Sequence, residues 1–354
     1  MKKFLKKFVF FVLFMPNTYT QSIDSKLIAN KNYDDHVLLE KERIINYSAS
    51  NWMDEDFEVL KDKTLNEIVL PGSHDSGTYS LKLKLAPDAP PAVIELISKL
   101  GKFGLKKLAL KIVKKWAEAQ CVDIFSQLQI GMRYLDLRVM WNDHDNSFRM
   151  HHSLIGTNFL NVLRDIKTFS DNHPKEIIIL DISTLNLDDD KYYNLFEMIL
   201  NLLGFKLLAQ DYNFSKTYAE IIKLKTPIVL FFDKQLDYSG DLFWDKKYLV
   251  SKWANVDNIE ALYDIESKAL KDYNDFNSIF KLQWILTPNV ETILESLVPF
   301  SKVRSLRDLS GECNSIIEIF LLDNKENKIN IIMLDFVNET NVLELARARN
   351  GKSN

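Results

Sequence analysis

Cysteine is scarce in this chain: two residues in 354, Cys121 and Cys313, far apart. That excludes a thiolate zinc cluster and a multiply bridged scaffold, leaving one disulfide or two buried thiols. The six histidines show no i, i+4 pair of the kind that builds a helical zinc site. Glycine is also sparse, at ten residues. No Gly-x-Gly-x-x-Gly turn follows the first apolar run, so a dinucleotide site has no support. Basic residues are not in excess: the net charge of −4 gives no global footprint for nucleic acid. There is no internal repeat and no low-complexity linker, and beyond the amino terminus no run is long and apolar enough for a membrane span. What remains is an ordinary globular composition, 46% hydrophobic and 27% charged, with length for a substantial single core.

The amino terminus is built differently. Four lysines lie within Met1–Lys7, an apolar stretch runs from Phe8 to Met15, and Pro16 and small polar residues follow. This pattern predicts a secretory signal peptide over residues 1–20, too short in its apolar part to cross a bilayer as a helix. An uncleaved signal-anchor is the alternative. Residues 21–50 read as a polar leader, and 51–345 as one barrel domain. Export would place Asn46, Asn213 and Asn338, each in an Asn-x-Ser/Thr sequon, where glycosylation takes place.

From Asn66 onward, β-branched runs alternate with segments of helical period. The expected strands are 67–70, 134–140, 148–152, 177–182, 228–232, 248–253, 282–287 and 329–336. The expected helices include 93–118, 159–172, 191–203 and 291–297. Alternating strands and helices predict parallel pairing, and about eight strands in a domain of this size favour a distorted single (β/α) TIM-type barrel. Such barrels carry their chemistry at the carboxyl ends of the strands. Here the polar residues fall at those places: His74 and Asp75 after the first run, Asp136 and Arg138 within the second, and His152 at the end of the third. Asp181, Asp233 and Asp335 mark later strand ends. The two-residue period puts Tyr134, Asp136 and Arg138 on one face, opposite Leu135, Leu137 and Val139. An Asp and an Arg on an inward face are costly unless paired or used. Of the adjacent His151 and His152, an extended chain points only one into any given site.

Several stretches occur together and in order: Leu70-Pro71-Gly72-Ser73-His74-Asp75-Ser76, Gln127 through Arg138, Met150-His151-His152-Ser153-Leu154, His173 through Asp181, and Ile331 through Phe336. In these the chain resembles the phosphatidylinositol-specific phospholipase C X-domain superfamily, over about residues 52–341. The resemblance implies cleavage of phosphatidylinositol or glycosylphosphatidylinositol-type lipids through an inositol cyclic phosphate. It implies His74 as general base, His152 as general acid, Arg138 on the phosphoryl oxygens, Asp335 orienting the base and Asp75 supporting the acid. Asp136, Asp181 and Lys234 are assigned to headgroup binding or to holding the site together. Calcium-dependent relatives place acidic ligands where this chain has Asp-Leu-Arg, so neither a metal nor another cofactor is expected. The chain departs from the bacterial enzymes where they carry a lysine (here Asp181-Ile182-Ser183), an inositol-binding arginine (here Asp233-Lys234) and, in many relatives, a glycine (here Ser153). A catalytically silent inositol-lipid binder on the same scaffold is the alternative.

One further segment bears on partners. Lys102, Lys106, Lys107 and Lys111 lie among Leu105, Leu108, Ile112 and Trp116 without an acid between them. This reads as a basic amphipathic helix that rests on an anionic lipid surface or packs its apolar stripe on the barrel. The resulting expectation is a secreted monomer that contacts membranes peripherally and binds no nucleic acid.

Overall fold

The computed structural model describes residues 47–211, 214–234, 240–275, 277–296 and 301–351. The expected signal segment, nearly all of the leader, Asn46 and Asn213 lie outside the described residues. Strands follow in the order β1 (Leu70–Ser73), β2 (Tyr134–Asn142), β3 (Ser147–His152), β4 (Leu154–Asn158), β5 (Ile178–Leu185), β6 (Ile228–Phe232), β7 (Trp244–Asp245), β8 (Leu249–Ser251), β9 (Ile279–Gln283) and β10 (Ile331–Leu334). Eight of them form one path, β7-β6-β5-β2-β1-β10-β9-β8, and every pairing along it is parallel. Among the described residues β7 and β8 do not pair, so the molecule is a nearly closed, distorted (β/α) barrel.

Strand period sorts the side chains. Leu135, Leu137 and Val139 of β2 and Leu180 and Ile182 of β5 point outward. They pack on Val162 and Ile166 of the helix Phe159–Asn172 and Leu195 and Ile199 of the helix Asp189–Leu203. The connection between β1 and β2 carries α1 (Pro91–Gly101), α2 (Lys106–Ala117) and α3 (Ile124–Gln129); α4 is Phe159–Asn172 and α5 is Asp189–Leu203. On the other side Leu282, Ile332 and Leu334 meet α6 (Ile259–Asp272), α7 (Leu306–Asn314) and α8 (Ile317–Asp323) through Leu262, Leu309 and Phe320. The interior is apolar low in the barrel, with Ile179, Val229, Ile279 and Ile331, and turns polar toward the carboxyl ends.

Several expected elements are placed differently. The Pro-Gly pair does not end the first strand: β1 begins at Leu70 and runs through it. Pro71 needs no donor there and supplies only its carbonyl, which accepts from Arg133 N. Gly72 is required by close approach, since a Cβ would lie 2.8 Å from Cδ1 of Tyr134. The strand at 148–152 is no barrel strand; β3 runs antiparallel to β2 and to β4, off the path. The helix expected over 93–118 breaks into α1 and α2 at Gly104, whose φ is +75°. Its buried stripe is Ala109, Leu110, Val113 and Trp116 rather than the one through Leu108. The strand expected at 282–287 sits earlier, at β9, because the inward Lys281 interrupts the apolar signal. Cys121 and Cys313 are both free thiols.

Candidate active site

Three carboxyl-terminal strand ends converge on one imidazole. His74 follows β1, and its main-chain N donates to Leu334 O of β10 at 3.0 Å. Gln120 pins the same junction: its Nε2 donates to His74 O (2.9 Å) and Leu334 O (3.1 Å), and its Oε1 accepts from Val337 N. With both strand ends held, His74 Nδ1 lies 2.7 Å from Asp335 Oδ1. Ser310 Oγ donates to the other Asp335 oxygen, and Asn314 Nδ2 donates to its carbonyl. Arg138, from β2, donates through Nη2 to His74 Nε2 at 3.2 Å. A guanidinium has no lone pair to offer, so this contact assigns the tautomer: Nδ1–H toward Asp335, lone pair on Nε2.

Asp75 lies at the centre. Its Oδ1 is 2.6 Å from Arg138 Nε, and its Oδ2 is 3.4 Å from His74 Nε2 and 3.3 Å from His152 Nδ1. These are charge contacts off the hydrogen-bond axes, as neither oxygen accepts an aligned bond. Asp75 takes the left-handed region, φ +43°, at a cost of order 1 kcal/mol for a non-glycine residue. Thr78 Oγ1 stabilises the turn by donating to Asp75 O and accepting from Ala119 N. His152 Nδ1 donates to Ala117 O, the last carbonyl of α2, at 2.8 Å. That helix end has orphan carbonyls and partial negative charge, which suits a cationic imidazole. Asp136 accepts from Asp75 N and lies 3.6 Å from Arg138 Nη2 and 3.9 Å from His74 Nε2.

Exposure divides the roles. The side chains of Arg138 and His152 are 34% and 25% exposed, whereas those of Asp75 and Asp335 are 0% and 2%. Groups that could touch a substrate are reachable, and the carboxylates that orient them are sealed. Burial alone would lower the pKa of His74, but the charges of Asp75 and Asp335 outweigh it and raise it to about 8. Burial would raise that of Asp75; Arg138 above all, then His152 and His74, hold it well below the usual carboxylate range.

His74, Asp75 and Asp136 offer ligand atoms within 4.8 Å of one another, a spacing compatible with a divalent cation. The guanidinium of Arg138 already touches all three. A cation there would meet a fixed positive charge, so these residues do not fit a metal.

One step along the sheet, Asp136 and Arg138 are level with Asp181 and Ser183 of β5. Asp181 accepts from Tyr134 OH (2.5 Å) and pairs with Lys246 (2.6 Å) and Lys281 (3.1 Å). Burial opposes its ionisation, and the two ammonium groups more than compensate. Lys246 also donates to Ser183 Oγ at 2.7 Å. Lys234 is placed at the rim, 2.5 Å from Asp189 and over the Tyr192 ring. The structure therefore gathers His74, Asp75, Asp136, Arg138, His152 and Asp335, sets Asp181 beside them, and engages Lys234 elsewhere. Sequence reasoning missed Gln120, Ser310, Lys246 and Lys281. A lone lysine inside Ile279-Phe280-Lys281-Leu282 was a usable signal; the others carry none. A separate depression of about 630 Å³, lined by Arg307, Asn314, Glu339 and Glu344 among others, holds no histidine.

Residues 107–234 match the family model described as phosphatidylinositol-specific phospholipase C, X domain. The chain is 30% identical over 254 residues to the PI-PLC X domain-containing protein 2 of Mus musculus, covering 70% of this chain and 73% of that protein. The chain belongs to the PI-PLC X-domain family. PI-PLC X domain-containing protein 3 of Danio rerio is 25% identical over 256 residues, covering 70% of this chain and 77% of the relative. In three dimensions the chain resembles the phosphatidylinositol-specific phospholipase C of Staphylococcus aureus, with a TM-score of 0.58 and 18% identity over 87% of this chain and 99% of that one. The Listeria monocytogenes enzyme gives 0.57 and 17%, over 83% and 96%. At such identity these two establish a shared barrel. The X-domain match ends in the rim after β6, so the last four barrel strands, including the Asp335 end, lie beyond it.

Proposed function

We propose that this X-domain protein is a phosphoric diester hydrolase that cleaves phosphatidylinositol or glycosylphosphatidylinositol-type lipids without calcium. The observation that carries the reading is the opposed tethering of the two imidazoles: each Nδ1 is tied to an acceptor, Asp335 for His74 and Ala117 O for His152. Nδ1 is thereby occupied on both rings and Nε2 is the atom that reacts; that of His74 exchanges its contact with Arg138 Nη2 for the substrate hydroxyl as the guanidinium takes up the phosphoryl oxygens. His74 Nε2 accepts the proton of the inositol 2-hydroxyl as that oxygen bonds to phosphorus. Arg138 grips the phosphoryl oxygens as charge builds, a task suited to a planar, permanently charged fork. The bond from phosphorus to the glycerol oxygen breaks, and His152 Nε2–H protonates the departing diacylglycerol. The nucleophile belongs to the substrate, so proximity supplies much of the rate.

The reading extends to setting. The signal-like amino terminus supports export, which would present outer-leaflet or foreign lipids as substrates. The exposed Lys102, Lys106, Lys107 and Lys111 beside exposed Phe103 and Leu108 support peripheral contact with a membrane. No helix among the described residues is long and apolar enough to cross one.

Incubation with phosphatidylinositol vesicles, with and without chelator, tests the chemistry. Phosphorus NMR is expected to show inositol cyclic phosphate from the wild type under both conditions and none from His74→Ala or His152→Ala. Lipid binding without product would return the silent-binder alternative, and loss on chelation restored by calcium would overturn the metal-free step.

A further inference from the structure

His151 and His152 project to different partners, and the partner of His151 links back to its neighbour. Asp88 Oδ2 lies 3.1 Å from His151 Nδ1 and accepts from Ser153 N at 2.9 Å. Ser153 immediately follows His152 and holds a left-handed backbone, φ +56°. Serine lacks the freedom glycine has there, so something must hold the turn. The loop that carries Asp88 is itself laced to β4: Ala86 N donates to Ser153 O, Ile155 N to Lys84 O, and Lys82 N to Ile155 O, around a bridge between Leu85 and Leu154. Asp88 Oδ1 is buried and accepts no hydrogen bond, an expensive arrangement for packing alone. The titratable and charged groups around this carboxylate are His151, His152 and Arg138.

We propose that Asp88 is a positioning residue for the acid histidine: clamped between His151 and Ser153 N, it holds the left-handed turn that aims His152 Nε2 at the leaving oxygen. This rests on the acid–base function proposed above and assigns a task to His151, which does not itself react.

The test compares two substrates that differ in their need for a general acid. Phosphatidylinositol in detergent micelles releases an alkoxide that must be protonated. An aryl ester of inositol phosphate releases a phenolate that departs without a proton. Asp88→Ala is expected to lower kcat on the lipid by about tenfold or more, within the range lost when a general acid is misplaced. The aryl ester should fall far less. Adding Ser153→Gly to Asp88→Ala, which lets the turn form unaided, should recover most of the loss on the lipid. Equal losses on both substrates, or no recovery with glycine in a variant that melts like wild type, would overturn the proposal. If Asp88→Ala is too unstable to purify, Asp88→Asn serves, because it keeps an acceptor for Ser153 N and removes the carboxylate charge that faces His151, loosening one side of the clamp; the same substrate split is then expected, and its absence overturns the role. A wild type inactive on both substrates would instead overturn the functional reading, and this role with it.

Discussion

His74 is set by opposing influences of comparable size. Burial favours the neutral ring and the two carboxylates favour the cation, with the net pKa raised to about 8. The sign matters twice. In its proposed role as general base it must be neutral, so kcat/KM is expected to climb as pH rises through about 8. As a group with a raised folded pKa, it contributes stability that is fully present below about 6.5 and lost as pH rises through about 8. Asp335→Asn removes one raising charge and turns one of the two acceptor oxygens into an N–H donor, so the tautomer is no longer fixed. A pH–rate series on this variant should show the limb moved to lower pH and kcat down by about 10²-fold or more. An unmoved limb would mean that Asp335 does not act on the base.

The α1–α2 hairpin has two faces. Ala109, Leu110, Val113 and Trp116 are buried, so part of the amphipathic pattern serves packing. Lys102, Lys106, Lys107 and Lys111 remain exposed, with Phe103 51% and Leu108 37% exposed beside them. This mixed basic and apolar surface is the one assigned above to the proposed membrane contact. Changing these four lysines to glutamate is expected to abolish sedimentation with anionic vesicles, since each lysine near such a surface is worth about 1 kcal/mol. Cleavage of a short-chain soluble substrate by the same variant, compared with that of vesicles, separates surface contact from damage to α2, whose last carbonyl holds His152.

The whole molecule rests on a second, structural set of charges at the opposite end of the strands. Arg133 precedes β2 and pairs with Glu176 at 2.6 Å, both fully buried. Arg133 also donates to the carbonyls of Leu128, Met132 and Ser50, and Glu176 accepts from Met53 N and Asp54 N. Breaking so complete a pair leaves a buried charge unmatched, so Glu176→Ala should destabilise by about 3–5 kcal/mol in denaturant unfolding. Glu266 of α6 is buried without a hydrogen-bond partner, and burial pushes its carboxyl up to about 8 despite Lys252. The folded chain therefore holds a proton there that the unfolded chain releases near 4.5. Between these values stability falls as pH rises. Glu266→Gln should flatten that fall in melting temperatures measured from pH 5 to pH 9; an unchanged slope would place it in other groups.

Local chemistry and periodicity made much of this legible in advance. Two-residue alternation in β2 committed Asp136 and Arg138 to one face, and the resemblance linked His74, His152 and Asp335, with 261 positions between His74 and the carboxylate it touches. Only the fold could decide that Pro71 and Gly72 lie inside β1, because that depends on the Tyr134 ring packing over Gly72. Only the fold could make β3 an antiparallel arm, since strand pattern carries no direction of pairing. The pairing of Asp181 with Lys246 and Lys281, and of Asp88 with His151, likewise arises between segments whose own sequences are silent about each other. The sequence by itself determined which residues had to face inward. Closure of the barrel determined which of them met, because distances between strand ends are properties of the sheet and not of any strand.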